Sequence, residues 1–371
     1  MPADSPLNRS KRPDLRIMRD ALARIAKVLA PGKFVVIESS VYPGFTENEA
    51  RPTLEGSGLE AGSDFGLAYS PERINYANPP PFSEISKVVG GVNMQCTNIA
   101  AQLYRLIIRA ELVTVSSPSV AEAAKMVENV YRYVNIGLVN ELAILFEKME
   151  IDTFEVIRAA ATKPFGFHAH FPGPGVGGHC IPKDPYYLSF IAQQWKSKLQ
   201  LPSTSAKIDS RMASHVCRGI QVALRKVQKP MVQSRITVLG LAYKGETDEV
   251  RNSPALNVIK GLARTGAHIV TYDPYVSEIR IHERIYHSEG SINDAVTRSD
   301  CCVFLVDHEV FRNVDLDLLK RKTKPPPLVY DARGMFEFSE LAKRDICYVG
   351  LGRPSLFPSR YSAFRVRSHS G

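Results

Sequence analysis

Apolar positions change their period in a regular way along the first part of the chain. Leu15, Met18, Leu22, Ile25 and Leu29 recur at alternating spacings of three and four, which predicts a helix with one buried stripe. Pro31-Gly32 stops it. The β-branched run Phe34–Ser40 then predicts a buried strand, Tyr42-Pro43-Gly44 a turn, residues 46–56 a second helix, and FGLAYS, ending at Ser70, another strand. Helix, strand, helix, strand is the order of a doubly wound parallel sheet. Such a sheet normally opens on a strand, a glycine fingerprint and a helix. Nothing of that kind precedes residue 15, so the expectation is a Rossmann domain without its first half.

Further on, Ser119 to about Ile151 predicts one long helix with Ser119 as its N-cap. A loop rich in Pro, Gly and aromatics follows from Lys163 to Tyr187, and a second long helix is expected over Thr204–Val227. Apolar faces on helices this long need a partner, either another domain or another subunit. RITVLG then opens a strand–loop–helix–strand unit closed by Asp273, and Cys301–Val306 and Leu328–Arg333 continue a second α/β domain. Beyond about Gly350 the chain turns polar and basic and is expected to fray.

Composition narrows the classes. Hydrophobic residues make up 44% of the 371 and charged residues 23%, an ordinary globular balance with no run long enough for a membrane span. The polar N-terminus carries no secretory apolar core, and Asp14 and Asp20 argue against an organelle presequence, so a cytoplasmic protein is expected. Cys96, Cys180, Cys217, Cys301, Cys302 and Cys347 form neither a CxxC pair nor a ladder; reduced thiols are expected, and no metal. Of the net charge of +9, residues 1–33 supply +5 and residues 346–371 supply +4. A charge concentrated in the ends reads as solvated tails, not as a nucleic-acid-binding face.

The segment FPGPGVGGHCIPKDPYYL, Phe171 to Leu188, carries most of the chemistry. Gly173, Gly175 and Gly178 satisfy G-x-G-x-x-G, but no strand leads in, and Pro182 and Pro185 are expected to bar an ordinary helix, so this is no dinucleotide fingerprint. The glycines instead let backbone approach a ligand closely and present Cys180. Lys183 and Asp184 add a cation and a carboxylate, and a nearby cation is expected to lower the thiol pKa. Lys125 and Asn129, four apart on the long helix, share a face and could offer an ammonium and an amide to an oxyanion. Glu72, in SPERI just after a strand end, lies where open α/β sheets take ligands. In the second α/β unit, Lys244, Asp248 and Arg251 lie between strand and helix, a place suited to phosphate, whereas Asp273 can equally cap a turn before Pro274.

ESSVYPG, SPERI, K-MVE-N, GPGVGGHCIPKDP and GLAYKGETDEVRNSPA, in that order from about residue 14 to 350, resemble the UDP-glucose/GDP-mannose dehydrogenase family. The stretch around Cys180 is most similar to the branch that oxidises UDP-N-acetylhexosamines. The resemblance implies an α/β chain with two Rossmann-like domains, the N-terminal one incomplete, joined by a central helical domain. Its boundaries would be 1–117 for the NAD-binding part, 118–210 for the helical, dimer-forming domain with the cysteine loop, 211–350 for the UDP-sugar domain, and 351–371 for a basic tail. It further implies oxidation of a sugar C6 alcohol to the uronate, with NAD as cofactor and Cys180 holding the intermediate covalently. Lys125 and Asn129 would stabilise the oxyanion, Asp184 and Glu72 would handle protons and water, and Ser40 would orient water beside the cofactor. Lys183 and Arg251 would touch the cofactor; Phe171, Gly177, Lys244 and Arg333, with Glu72 and Lys125, would bind the nucleotide sugar. A homodimer, or a pair with a full-length homologue, is expected. Without the glycine fingerprint of the family the NAD pyrophosphate loses its main cradle, and the alternative is an inactive nucleotide-sugar-binding or dimerising remnant. A thiol hydrolase would need His168, His170 or His179 as base.

Overall fold

The computed structural model describes residues 5–8, 10–74 and 80–361. The chain forms two compact units, Met1–Tyr133 with Cys180–Ser203, and Val134–His179 with Thr204–Gly371.

In the first unit the predicted stripe is realised. Helix α1 (Arg16–Val28) buries Met18, Ala21 and Leu22, with Leu15 buried just before it and Ile25 and Leu29 partly covered. Strand β1 (Phe34–Ile37) stops short of the expected Ser40, so Glu38, Ser39 and Ser40 form the loop at its C-terminal end. A π-helical turn, Thr46–Ala50, runs into α2 (Arg51–Glu55), and β2 (Gly66–Tyr69) follows. Next come β3 (Lys87–Gly91), α3 (Met94–Arg105) and β4 (Leu112–Thr114), and the sheet order is β1-β2-β3-β4. β1 and β2 pair in parallel from Phe34↔Gly66 to Ile37↔Tyr69. β2 and β3 are antiparallel, Ala68↔Gly91 and Tyr69↔Gly90, a departure from the all-parallel expectation. Between them the described residues hold only a three-residue helical turn, Phe82–Glu84, and a parallel return needs a longer crossover. β1 was expected to be buried; at an edge of this sheet it is only partly so.

Helix α4 spans Pro118–Lys148. Its cap is not Ser119 as expected. Proline suits the first helical position, and the Ser117 hydroxyl one residue earlier accepts from Val120 N at 3.3 Å. The second unit continues with α5 (Thr153–Ala161), capped by Asp152, whose carboxylate accepts from Phe154 N and Glu155 N. After α6 (Asp184–Gln194) of the first unit and α7 (Gln200–Lys226) come β5 (Arg235–Leu239), α8 (Pro254–Ala263), β6 (His268–Tyr272), and the hairpin β7 (Glu278–Ile281) and β8 (Arg284–His287). Helix α9 (Ile292–Val296), β9 (Cys301–Phe304), β10 (Leu328–Asp331) and β11 (Cys347–Gly350) complete the sheet. Its order is β11-β10-β9-β5-β6, all parallel, which puts the reversal of strand order between β5 and β9. Ligands of such sheets bind beyond the strand C-termini at that point.

Residues after 350 do not fray at once. Arg353, counted among the solvated tail charges, is 3% exposed; its Nη2 lies 2.7 Å from Asp152 Oδ2 and its Nη1 donates to Phe336 O at 2.7 Å. Among the described residues no helix is long and apolar enough to cross a membrane.

Candidate active site

In the first unit the chain turns sharply at the thiol. The Cys180 carbonyl accepts from Lys183 N at 3.0 Å and Asp184 N at 2.9 Å, and α6 begins at Asp184. Pro182 and Pro185 therefore do not bar a helix here, because Pro185 falls in the first turn, where no intrahelical N–H is required. The fingerprint reading of the glycines fails as expected: no strand leads into them.

Lys125 and Asn129 lie on one face of α4, and both engage the site. Asn129 Nδ2 donates to Asp184 Oδ2 at 2.6 Å, with Asn129 6% and Asp184 0% exposed. Lys125 Nζ donates to the Glu72 carbonyl at 2.6 Å. Around the sulfur of Cys180 gather Asp184, Lys125, Lys183 and the hydrogen-bonding hydroxyl of Ser40. Burial is the largest influence on the thiol, the Asp184 charge the next, and both push its pKa up; the two ammonium groups and Ser40 pull it down without cancelling that. The net upward shift reverses the lowering expected from the neighbouring cation, because the sequence does not reveal how deeply the sulfur is covered. The leading partners of the thiol are carboxylate, ammonium and hydroxyl, and none is an imidazole.

Glu72 divides its functions. Its carbonyl holds Lys125, while its Oε1 accepts from Arg73 N at 2.6 Å and Ile74 N at 2.9 Å, and its Oε2 stands 3.5 Å from Lys87 Nζ. Three further residues escaped the sequence reading. Ser5, 2% exposed, donates to the Ser40 carbonyl at 2.8 Å, and its own carbonyl accepts from Tyr187 OH at 2.5 Å. Glu122, three residues before Lys125, is fully buried and accepts from Gly44 N, Thr46 N and Thr46 Oγ1 at 2.6 to 2.8 Å, tying the loop after Ser40 to α4. Lys87 stands between Ser86 and the apolar run that begins at Val88, a position that carries no signal in the sequence.

Ser5, Ser40 and Lys183 form one hydrogen-bonded group in the first unit. Lys183, 4% exposed, reaches Ser5 Oγ at 3.3 Å and stands 5.3 Å from the Tyr187 ring centroid, a buried cation with hydroxyls at the C-terminal end of β1.

The second unit gathers the other predicted positions at its switch point. After β5, Gly240 (φ +98°) turns the chain, and Lys244 follows with its ammonium 5.2 Å from the Tyr243 ring centroid. Arg333, after β10, donates through Nε to Leu305 O at 3.0 Å and lies 3.8 Å from Asp307 Oδ1. A Cβ on Gly177 would stand 2.6 Å from Tyr243 Cβ, so glycine is required there for close approach, whereas one on Gly173 would stand 2.7 Å from Arg333 Nη1, the movable end of a side chain. Phe171, 45% exposed, stacks on Phe154 with centroids 5.8 Å apart. Arg251 belongs to this unit, half-exposed and 4.0 Å from Glu249. Asp273 is structural: it accepts from Leu241 N, Ala242 N, Tyr275 N and Val276 N, and faces His308 Nε2 at 3.1 Å. With its oxygens engaged this way, it serves the turn and the β5 loop.

Comparison with known proteins accounts for these two sites. Residues 3–108 match the NAD binding domain of the UDP-glucose/GDP-mannose dehydrogenase family, residues 119–211 its central domain and residues 237–338 its UDP binding domain. NAD is accordingly the cofactor of the first unit's domain type. The chain is 35% identical over 336 residues to the UDP-N-acetyl-D-glucosamine 6-dehydrogenase of Pseudomonas aeruginosa, covering 90% of this chain and 79% of that protein. It is 34% identical over 328 residues to the UDP-N-acetyl-D-mannosamine dehydrogenase of Pyrococcus horikoshii, covering 88% and 74%. The solved UDP-D-ManNAc dehydrogenase of Pyrococcus horikoshii superposes with a TM-score of 0.84 at 33% identity, covering 95% of this chain and 80% of that one. By its three matched domains and by these relatives, the chain belongs to the UDP-glucose/GDP-mannose dehydrogenase family.

Proposed function

We propose that this protein oxidises the C6 alcohol of a UDP-N-acetylhexosamine to the uronate, with Cys180 as nucleophile. The observation that carries the reading is the grouping of Cys180, Lys125, Asn129, Asp184 and Ser40 in one unit, on a helix face and the turn at the thiol. The UDP-N-acetylhexosamine branch is supported by the names of the relatives above.

NAD, when bound, would supply the hydride acceptor, one molecule for each of the two oxidations. Cys180 adds to the C6 carbonyl carbon and keeps it covalently attached between the two oxidations, first as a thiohemiacetal and then as a thioester. Lys125 and Asn129 stabilise the oxygen that turns anionic when the sulfur or water adds. Asp184, bonded to Asn129, holds that amide in place and takes up the proton of the incoming water; the thiolate leaves as the carboxylate forms. Ser40 orients the sulfur and water. Lys183 and Ser5 hold the nicotinamide end, and Glu72 presents Lys125. In the second unit Lys244, Arg333, Phe171 and Gly177 receive the UDP-sugar, and Arg251 is assigned to the cofactor by its place in the GLAYKGETDEVRNSPA motif. Overall, one alcohol, one water and two NAD⁺ give one carboxylate, two NADH and three protons.

The stoichiometry tests this reading. Two NADH per uronate are expected, with no aldehyde captured by added hydrazine. One NADH per product, or a trapped aldehyde, contradicts the covalent scheme.

A further inference from the structure

Lys87, at the start of β3, is a cation with a side chain 0% exposed. Its ammonium lies 2.9 Å from Glu38 Oε1 and 3.5 Å from Glu72 Oε2. Tyr104 on α3 completes the cluster: its hydroxyl donates to Glu38 Oε1 at 2.6 Å and its ring centroid is 4.9 Å from the ammonium. Burial works against the charge on Glu38, yet the Tyr104 hydroxyl and the Lys87 ammonium together hold its carboxyl below the usual range. Lysine is almost never fully buried unless paired, and an apolar residue would fill this strand position at no electrostatic cost. The cation is therefore there for the carboxylates.

Glu72 links it to the thiol. The carboxylate of Glu72 faces Lys87, and its carbonyl accepts from Lys125 Nζ at 2.6 Å. Arg73 doubles the link: Nη1 donates to Ser86 O at 2.9 Å, beside Lys87, and Nη2 lies 2.7 Å from Glu128 Oε1, three residues beyond Lys125 on α4. The Glu72–Arg73 peptide is thus tied to the start of β3 and to α4 at two points each. We propose that Lys87 is a positioning residue of the active centre, fixing the Glu72 loop whose carbonyl in turn fixes the Lys125 ammonium at Cys180. Its catalytic meaning rests on the function proposed above; the geometry stands without it.

The test is alkylation of Cys180 by iodoacetamide in the full chain, followed by peptide mass mapping across pH, which needs neither cofactor nor sugar. The charged and titratable groups facing Glu72 are Lys87 on β3, Glu38 after β1, Tyr104 on α3, Lys125 on α4 and Arg73 in its own loop. Those acting on the thiol are Asp184, Lys125, Lys183 and Ser40. In Lys87→Met the alkylation midpoint is expected to rise, cutting the thiolate fraction below the midpoint about threefold, with Lys87→Arg restoring it. Lys87→Met can fail to fold, and loss of a positive charge would itself raise the midpoint, so Glu72→Gln decides. By its field alone, removal of this negative charge lowers the midpoint; release of Lys125 raises it. A raised midpoint in Glu72→Gln at unchanged melting temperature supports the proposal. An unchanged or lowered one overturns it, as does a folded Lys87→Met with the wild-type midpoint. NADH formation by the wild-type chain is read separately and judges the proposed reaction, not the role of Lys87.

Discussion

At the scale of the residue, the surroundings of Cys180 set the reactivity of its thiol. Burial and the Asp184 carboxylate both disfavour the thiolate, so its pKa stands above the ordinary thiol range and its reactive fraction grows as pH rises. Alkylation of Cys180 should accelerate through the alkaline range, and Asp184→Asn should move that profile to lower pH while abolishing turnover; a profile that stays put would detach Asp184 from the thiol. Cys217, pushed up to about 11 by burial, and the fully buried Cys301, Cys302 and Cys347 should label more slowly. Lys125→Ala, which removes the ammonium held by the Glu72 carbonyl, is expected to lower kcat about 100- to 1000-fold with the fold intact by circular dichroism. Cys180, Lys125, Asn129 and Asp184 were legible in the sequence because motif and helical spacing mark them. Ser5, Lys87 and Glu122 were not, because a lone serine, lysine or glutamate shows its role only once distant strands and helices bring its partners to it.

At the scale of the element, glycines and capping decide where the site residues stand. Gly173→Ala would place a methyl 2.7 Å from Arg333 Nη1, the movable end of a side chain, and should weaken UDP binding modestly. Gly177→Ala meets Tyr243 Cβ at 2.6 Å and the Asn252 carbonyl at 3.0 Å, atoms that cannot step aside, and should weaken it more. Calorimetric titration with UDP gives that ranking, and equal losses would contradict the close packing described. Helices and strands with a clear period, such as α1, β5 and β9, were readable in advance. The antiparallel β3 was missed because its apolar run carries no signal of direction. The start of α6 was missed because Pro185 reads as a breaker until its place in the first turn is seen. The cap of α4 moved from Ser119 to Ser117 for the same reason, with Pro118 opening the helix.

At the scale of the whole molecule, the thiol and the match to the NAD binding domain lie in one unit and the match to the UDP binding domain in the other. UDP binding should therefore survive Cys180→Ala, and Arg333→Ala should weaken it by about 1–3 kcal/mol in either background. Along α4, Val127, Tyr131, Leu138 and Leu145 are 47 to 60% exposed, an apolar row on which the homodimer expected from the sequence can be tested. Light scattering should give the mass of two chains, and Leu138→Lys with Leu145→Lys should halve it. A wild-type monomer would remove dimerisation from the account. The most direct test of the central claim is absorbance at 340 nm with the purified full chain, NAD and UDP-N-acetylglucosamine, beside Cys180→Ala. NADH formation in the wild type that disappears in the variant is the predicted result; no NADH from folded wild-type protein, or equal rates in both, would contradict it.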